Sequence, residues 1–375
     1  MDSLRYMLPS LLTATALKFL NRMLMRGFTT VRDAAGADAG HREAIENGLF
    51  PGPRLFIAGR ALTQTGGHGD LRSQAELLEI CSHVHLVGNM GRIADGIDDV
   101  RRAVRDEIRL GANQIKIMVS GGVGSPSDPI EFIEYSNEEL ETAVDEASRA
   151  NTYVMAHAYT APAIRRAVEA GIRTIEHGNM IDEETAALMA KRGAYLVPTL
   201  ITYQMLVKGG DQLGYPETSL AKAKQVLNAG TKSLEIAKAA GVKMAYGTDL
   251  MGEQHPHQAG EFLVRAEVLS PAEIIRSATV IGAEVLRMEG KLGVIAPGAF
   301  ADLLVVDGNP LENLRLFEDD GAHLSVIMKD GKFYKFDNSL GWFSTCASGG
   351  GDTGAFSCNE GTGISKFTGE ALSHS

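Results

Sequence analysis

Four polar residues stand at or near the ends of short apolar segments and could together bind a metal ion. They are Lys116 in QIKIMVSGG, His157 in YVMAH, His177 in TIEH and Asp249 in YGTD. Two imidazoles with carboxylates suit a divalent ion such as zinc. A lone strand-end histidine is more often a hydrogen-bonded structural residue, but a lysine inside an apolar strand needs a partner, a shifted pKa or a modification. We therefore interpret the set as most of a metal centre.

The same four residue types suggest a hydrolytic chemistry. If Lys116 reacts with CO₂, its carbamate becomes a carboxylate that can bridge two metal ions. A water bridging the ions would lose a proton near neutral pH and become the nucleophile. Asp249 would ligate one ion, accept the proton of the water and pass it to the leaving amine. Asp249 is therefore the predicted catalytic residue.

Two other residues are candidates for contacting a substrate. His68 lies in the glycine-rich segment GGHGD, where the alternative is an ordinary turn residue. Tyr159 follows His157 by two positions, so both side chains share one face if the strand continues. Its hydroxyl could hydrogen-bond a substrate carboxylate, and the alternative is a packed aromatic side chain.

Two His-X-His pairs could also be considered as ligands. On a strand, His83 and His85 would point both rings the same way, but their place in the chain favours a loop or a helix edge. His255 and His257 follow Asp249 and could line the mouth of a pocket, with a surface loop as the favoured alternative.

The elements that would position these residues alternate between β and α. Short β-branched segments separated by helical patterns are typical of an α/β fold with buried parallel strands. The helical patterns often end in a glycine just before the next strand, as helix C-termini do. The predicted strands are Thr29–Arg32, Arg54–Ala58, Gln114–Val119, Tyr153–His157, Thr174–Glu176, Tyr195–Pro198 and Lys243–Tyr246. The predicted helices are Ile93–Leu110, Asn137–Ala150, Ala161–Ala170, Glu183–Arg192 and Tyr215–Ala240.

The pattern changes after Ser270. Ser270–Met288 reads as one helix with Ser270 as its N-cap, and Gly298–Val306 and Leu324–Tyr334 read as β-structure, the latter a hairpin at Asp330-Gly331. Beyond Asn338 the sequence is rich in Gly, Ser and Thr, which is typical of disorder. The predicted domains are a hydrolase barrel over 1–288, a small β-sandwich segment over 289–337 and a disordered tail over 338–375.

Composition excludes several classes of partner. The 375 residues carry a net charge of -11 with no basic cluster, which argues against nucleic acid and anionic membranes. Tyr6–Leu20 is apolar, but Asp2, Lys18 and the lack of a cleavage motif favour an amphipathic helix over a signal peptide. The three cysteines lack zinc-binding spacing and favour a reducing compartment. A cytoplasmic location is predicted.

The motifs resemble the amidohydrolase superfamily. Lys, His, His and Asp occur in this order at strand ends and are followed by GVIAPGAFADLLVVDGNPL. The segments IKIMVSGGVGS, AHAYT, IEHGNMID and GTDLM, with GGHGD upstream, are most similar to the imidazolonepropionase-like subgroup, which includes Xaa-Pro dipeptidases and ochratoxinase-like enzymes. The resemblance covers residues 10–337. The spacing from position 116 to 157 and from 157 to 177 agrees with that subgroup.

The resemblance implies a (β/α)8 TIM-type barrel with a small β appendage from the C-terminal segment. It also implies a metal-dependent hydrolase that uses a metal-bound hydroxide to cleave an amide or small peptide with a free carboxylate. The implied cofactors are a divalent metal, zinc by default and two per site in complete members, and a CO₂-derived carbamate on Lys116. A homo-oligomer is left open.

The sequence departs from the family pattern at its N-terminal side. Family members carry an HxH pair at the end of the first barrel strand, and no HxH precedes GFTTVRD here. The seven predicted strands are also one fewer than a closed barrel requires. We therefore expect the first strand to be missing, and the alternative function is a catalytically impaired or non-enzymatic truncated homologue.

Overall fold

Parallel strands alternate with helices along most of the chain. A computed structural model describes residues 7–72, 90–125, 128–212 and 214–337. The elements up to the last parallel strand are α1 (Pro9–Met25), β1 (Thr30–Arg32), α2 (Ala39–Glu46), β2 (Arg54–Phe56), β3 (Ala61–Thr63), β4 (Gly91–Ile93), α3 (Gly96–Arg109), β5 (Ile115–Met118), α4 (Asn137–Arg149), β6 (Val154–Thr160), α5 (Ala161–Glu169), β7 (Thr174–Met180), α6 (Glu183–Arg192) and β8 (Tyr195–Val197).

The rest of the described chain is helical and then antiparallel. It contains α7 (Leu200–Gly209), α8 (Glu217–Ala240), a 3-10 helix (Gly252–His257), α9 (Gly260–Arg265), α10 (Pro271–Ala278), α11 (Val280–Val285), β9 (Leu303–Val306), 3-10 turns at Leu314–Phe317 and Asp319–Gly321, β10 (Leu324–Lys329) and β11 (Lys332–Phe336). Among the described residues, no helix is both long and apolar enough to cross a membrane.

The central sheet is parallel throughout. Its six strands follow the order β4-β3-β5-β6-β7-β8, and β1 and β2 form a second parallel pair. Asn113, just before β5, joins this pair to the sheet, because its backbone N–H donates to Ile57 O at 2.7 Å and its side chain accepts from Ile57 N. β5 to β8 are almost entirely buried, as expected of strands covered on both faces.

The C-terminal strands form the predicted small sheet. β9, β10 and β11 pair antiparallel in the order β11-β10-β9, with the hairpin at Asp330-Gly331. Leu324 and Ile327 of β10 pack against Leu24 of α1, so this sheet shares an apolar cluster with the first helix.

Several predictions about the helices and strands differ from the structure. Lys243–Tyr246 forms only an isolated parallel bridge, between Leu196 and Met244. Ser270–Met288 is two helices, because Thr279 at φ -120° and ψ -88° interrupts α-helical geometry. β3 and β4, of three residues each, were not predicted. The predicted disordered tail at 338–375 lies outside the described residues.

A fully buried ion pair anchors the segment after β8. Arg265 Nε donates to Glu261 Oε1 at 2.7 Å, and both side chains are 0% exposed. Arg265 also reaches the carbonyl of Pro198, while the second oxygen of Glu261 accepts from Ile201 N at 2.8 Å. Burial raises the pKa of Glu261 to about 7, although Arg265 opposes this shift. The pair therefore fixes the backbone that leads into α7.

We expect Arg265→Ala to lower the free energy of unfolding by about 3–5 kcal/mol, because it leaves a buried carboxylate unpaired. Urea unfolding monitored by circular dichroism would measure this. Arg149→Ala is the matched control, since Arg149 pairs with Asp145 at the same i,i+4 spacing but in solvent, and should cost at most about 1 kcal/mol. Equal losses in both variants would contradict the anchoring role.

Candidate active site

The strand register brings the predicted residues to one edge of the sheet. Lys116 pairs in register with Met155, and Met118 with His157. His177 pairs with Ala158, one position beyond His157. The two histidines therefore stand side by side at the middle of β6 and β7, which both continue three residues past the histidine and so further than the sequence predicted, and Lys116 lies on the neighbouring strand β5.

His157 and His177 contact each other, and one ring nitrogen of each has no hydrogen-bond partner among the described residues. Their ring centroids are 4.7 Å apart at 70°. His157 Nε2 lies 3.2 Å from Gly121 O, and because a carbonyl only accepts, Nε2 carries the hydrogen. His177 Nδ1 lies 2.6 Å from Thr199 Oγ1 and 2.8 Å from the Tyr203 hydroxyl. Burial lowers the pKa of both histidines well below 6.5, so both rings are neutral.

Lys116 is a buried ammonium without a direct partner. Its side chain forms no hydrogen bond or ion pair with any residue that the structure describes, and the residue is 4% exposed. Burial lowers its pKa, the charges of Glu176 and Asp249 oppose this shift, and Arg32 adds to it. Arg32 is paired with Glu176 at 2.8 Å. Burial and Arg32 together outweigh the two acidic groups, so Lys116 is left poorly stabilised as a cation.

Asp249, the fourth predicted residue, interacts electrostatically with Lys116. Burial raises its pKa to about 6, and Lys116 partly opposes that shift. Its backbone adopts a left-handed φ of 51°, and its carbonyl accepts from Thr202 Oγ1 at 3.2 Å. His177 also has a positive φ of 77°. Such strained positions concentrate at functional sites.

Tyr159 belongs to the same cluster but is hydrogen-bonded within it. Its hydroxyl lies 2.7 Å from that of Tyr203, which in turn contacts His177 Nδ1. The Tyr159 ring stacks on His177 with centroids 5.1 Å apart. In this arrangement Tyr159 helps to fix the orientation of His177.

His68 reaches the cluster from the loop after β3. Its ring stacks on His157 with centroids 4.3 Å apart at 20°, and its Nδ1 lies 2.9 Å from Asp128 Oδ2. Burial opposes ionisation of Asp128, but hydrogen bonds from His68, Ser125 and Gly122 together lower its pKa, so it is a carboxylate.

Of the two His-X-His pairs, only His255 and His257 lie among the described residues. His83 and His85 lie outside the described residues. His255 packs against Phe19 with ring centroids 5.0 Å apart, and burial lowers its pKa to about 4. His257 is exposed at the end of the 3-10 helix.

The donor set fits a divalent metal only if Lys116 is carboxylated. No three His, Cys, Asp or Glu side chains among the described residues lie together in a metal-binding arrangement. The free nitrogens of His157 and His177 suit a metal, because the other nitrogen of each ring is held by a hydrogen bond. A carbamate on Lys116 would add oxygen ligands and replace the poorly stabilised ammonium.

Several residues of the site were not predicted. Thr199 directly follows the predicted strand Tyr195–Pro198, so the strand-end argument could have found it. Tyr203 lies one helical turn later. Asp128 and Glu134 lie in a long loop after β5, where the sequence shows no periodicity that predicts their direction.

Glu134, in the same loop, is a buried carboxyl whose protonation can be tested. Its Oε1 accepts from His68 N at 2.7 Å, its Oε2 has no partner among the described residues, and burial raises its pKa to about 8 from 4.5. The folded state therefore holds a proton that the unfolded state loses above pH 4.5. The free energy of unfolding should fall as pH rises from 4.5 through 8.

We expect Glu134→Gln to reduce this pH dependence, because the amide keeps the acceptor for His68 N and cannot ionise. Urea unfolding at pH 5 and pH 8.5 would measure it. Glu131→Gln, an exposed change in the same loop, should retain the wild-type slope. Identical slopes for wild type and Glu134→Gln would show that the carboxyl is ionised in the folded protein.

Comparison with known proteins agrees with this geometry. The amidohydrolase family model matches residues 2–334. The chain is 34% identical to ochratoxinase of Aspergillus niger over 320 residues, which is 83% of this chain and 66% of ochratoxinase. It therefore spans slightly less than two thirds of the length of that curated relative.

Two crystal structures share the fold. One is a prolidase complexed with N-methylphosphonate-L-proline, with 52% identity, a TM-score of 0.87 and coverage of 89% of this chain and 82% of that chain. The other is a Xaa-Pro dipeptidase with methionine bound in the active site, with 33% identity, a TM-score of 0.78 and coverage of 87% and 80%. The α/β fold with a parallel central sheet, like that of TIM-barrel amidohydrolases, and a small C-terminal antiparallel sheet is thus confirmed, as is the subgroup that the motifs indicated. The chain belongs to the amidohydrolase family.

Proposed function

We propose that this protein is a metal-dependent hydrolase of amide or small-peptide C–N bonds. The observation that supports the proposal is the meeting of two neutral histidines and a buried lysine on the neighbouring strands β5, β6 and β7 with a buried aspartate, Asp249, whose charge acts on Lys116. A structural role explains each residue singly, but it gives no reason to bury all four together beside a third histidine, His68. Perturbed titratable groups of this kind concentrate at catalytic sites.

Carboxylated Lys116, His157, His177 and Asp249 would hold the metal, with zinc as the first choice. When bound, the divalent ion supplies Lewis acidity that polarises the scissile carbonyl and lowers the pKa of a coordinated water. Thr199 and Tyr203 hold His177 Nδ1, and Gly121 holds His157 Nε2, so both rings are oriented before any ligand arrives.

Asp249 would move the proton. Its carboxylate accepts a proton from the attacking water and then donates it to the nitrogen of the leaving amine, so that the C–N bond breaks without expelling an amide anion. Because burial raises the pKa of Asp249 to about 6, its proton affinity lies near that of a useful general base at neutral pH.

The relatives support a substrate class. The prolidase binds a phosphonate joined to proline, and a tetrahedral phosphonate resembles the geometry of a peptide carbonyl under attack. The dipeptidase binds a free amino acid. We therefore propose a dipeptide or an amino-acid amide with a free carboxylate as substrate. His68 and Tyr159 are the proposed substrate contacts, and His68 Nε2 is available because it has no partner among the described residues.

A second candidate is a catalytically impaired homologue. It is favoured by the observation that the described residues alone do not form a three-ligand metal cluster. Zinc content and hydrolysis of alanyl-proline, measured together, distinguish the two candidates, since an impaired homologue would lack turnover at full zinc loading or fail to load.

Lys116→Ala tests the carbamate. We expect wild type to retain zinc after dialysis with zinc and bicarbonate, and the variant to bind it about tenfold or more weakly, because one ligand is lost. Inductively coupled plasma mass spectrometry measures the content. Lys232→Ala, on the exposed face of α8, is the control. Equal zinc in Lys116→Ala and wild type would contradict the role of Lys116.

Asp249 should make zinc binding depend on pH. Since only the carboxylate binds a metal, zinc affinity should fall as pH drops through about 6. Asp249→Asn should remove part of this dependence and abolish hydrolysis of alanyl-proline. Asp182→Asn makes the same chemical change at a helix N-cap and should leave both unchanged. Wild-type turnover by Asp249→Asn would exclude Asp249 as the proton carrier.

A further inference from the structure

We propose that Asp128 is a positioning residue that orients His68 towards the reacting centre, and that the loop after β5 holds Asp128 in place for this role. The inference rests on the proposed function, because the orientation of His68 matters for catalysis only if a substrate binds beside His157. Four contacts of the loop support it.

The hydrogen bond between His68 and Asp128 fixes the ring. Asp128 is 1% exposed, and its Oδ2 faces His68 Nδ1 at 2.9 Å. An ionised carboxylate only accepts, so Nδ1 carries the hydrogen and Nε2 is the other, unpartnered nitrogen among the described residues. The face of the same ring stacks on His157 at 4.3 Å. The hydrogen bond restrains rotation of the His68 ring, and the stacking restrains the tilt of its plane.

Gly122 forms a cradle for the ring edge. A Cβ at this position would lie 2.0 Å from His68 Cε1, 2.3 Å from Nδ1 and 2.4 Å from Nε2. The backbone N–H of Gly122 donates to Asp128 Oδ2 at 2.6 Å. The glycine therefore makes room for His68 and also holds the carboxylate that orients it.

Lys222 fastens the loop to α8. Its ammonium donates to the carbonyl oxygens of Gly122, Ser125 and Asp128 at 3.0, 2.9 and 2.6 Å. Three carbonyls around one cation hold the backbone at Gly122, Ser125 and Asp128 itself. At the other end, Glu134 accepts from the backbone N–H of His68, so backbone and side chain of His68 are held separately.

The loop therefore places a histidine from one part of the chain against a strand-end histidine from another. The loop also makes other contacts, since the Gly121 carbonyl accepts from His157 Nε2 and Val123 and Ile130 are buried in an apolar cluster. Its contacts with His68 are those of Asp128, Gly122 and Glu134.

The first test compares Asp128→Ala with Glu131→Ala, an exposed carboxylate three residues away. We expect kcat/KM for alanyl-proline to fall about 10–100-fold in Asp128→Ala and to change less than about twofold in Glu131→Ala, with zinc content equal to wild type in both. Asp128→Asn should recover part of the loss, because its amide oxygen can still accept from Nδ1–H. A parallel loss of zinc in Asp128→Ala would overturn the proposal, since the loop would then serve only the metal ligands.

The second test separates direct action from action through His68. Asp128→Ala added to His68→Gln should cause no further loss of kcat/KM, and Gly122→Ala, which displaces the ring while leaving Asp128 intact, should resemble His68→Gln. Additive losses in the double variant would overturn the proposal.

The third test does not depend on activity. ¹⁵N NMR of histidine-labelled zinc-loaded protein, with the His68 signal assigned by its absence in His68→Gln, should show the Nδ1–H tautomer in wild type and a mixture in Asp128→Ala. An unchanged tautomer would overturn the proposal. If wild type hydrolyses no dipeptide or amide, the proposed function fails, and this measurement still decides whether Asp128 orients His68.

Discussion

Burial of the Lys116 ammonium is the constraint on which the centre of this molecule depends. A cation in an apolar strand costs several kcal/mol unless it is paired. Here Glu176, one of the two acidic groups that favour the charged form, is already bound to Arg32, and burial lowers the pKa of Lys116. A charged Lys116 is therefore unfavourable within β5. Conversion of the amine to a carbamate would remove that cation and provide a metal ligand, so one modification would relieve the cost and create the site. This is why we regard Lys116 as the residue that distinguishes a catalytic centre from a polar core.

The surrounding residues restrict the histidines in a complementary way. His157 is bonded to a backbone carbonyl and His177 to two hydroxyls, and burial keeps both rings neutral. A neutral imidazole with one nitrogen held and one free is ready to bind an electrophile without first losing a proton or a partner. The Glu261–Arg265 pair contributes indirectly, because it fixes the turn that presents Thr199 to His177. The hydrogen bond between Thr199 and His177 thus depends on a buried ion pair that holds Pro198 and Ile201.

The sequence predicted strand-borne features much better than loop-borne ones. Lys116, His157 and His177 could be placed together because parallel strands end at one edge, and apolar periodicity locates the ends of strands. Asp128 could not be placed, because its position depends on Lys222, ninety-four residues later, and on the space left by Gly122. Tyr159 was predicted to face the site, and it does, but its bond to Tyr203 depends on how α7 packs. Thr279 breaks a helix whose sequence pattern is continuous, since its backbone conformation is set by tertiary packing.

The difference between residues on strands and residues on loops suggests how members of the family vary their substrates. Strand ends are fixed by the hydrogen-bond ladder of the sheet, so the residues that would bind a metal can change little without loss of the site. Loops are free to change length and sequence, and here one loop supplies Asp128, Glu134 and the cradle for His68. Relatives that act on different compounds can keep the same strand ends and differ in such loops. Under the proposed function, the strands would determine which bond is cleaved, and the loop after β5 would help to determine which molecule is held.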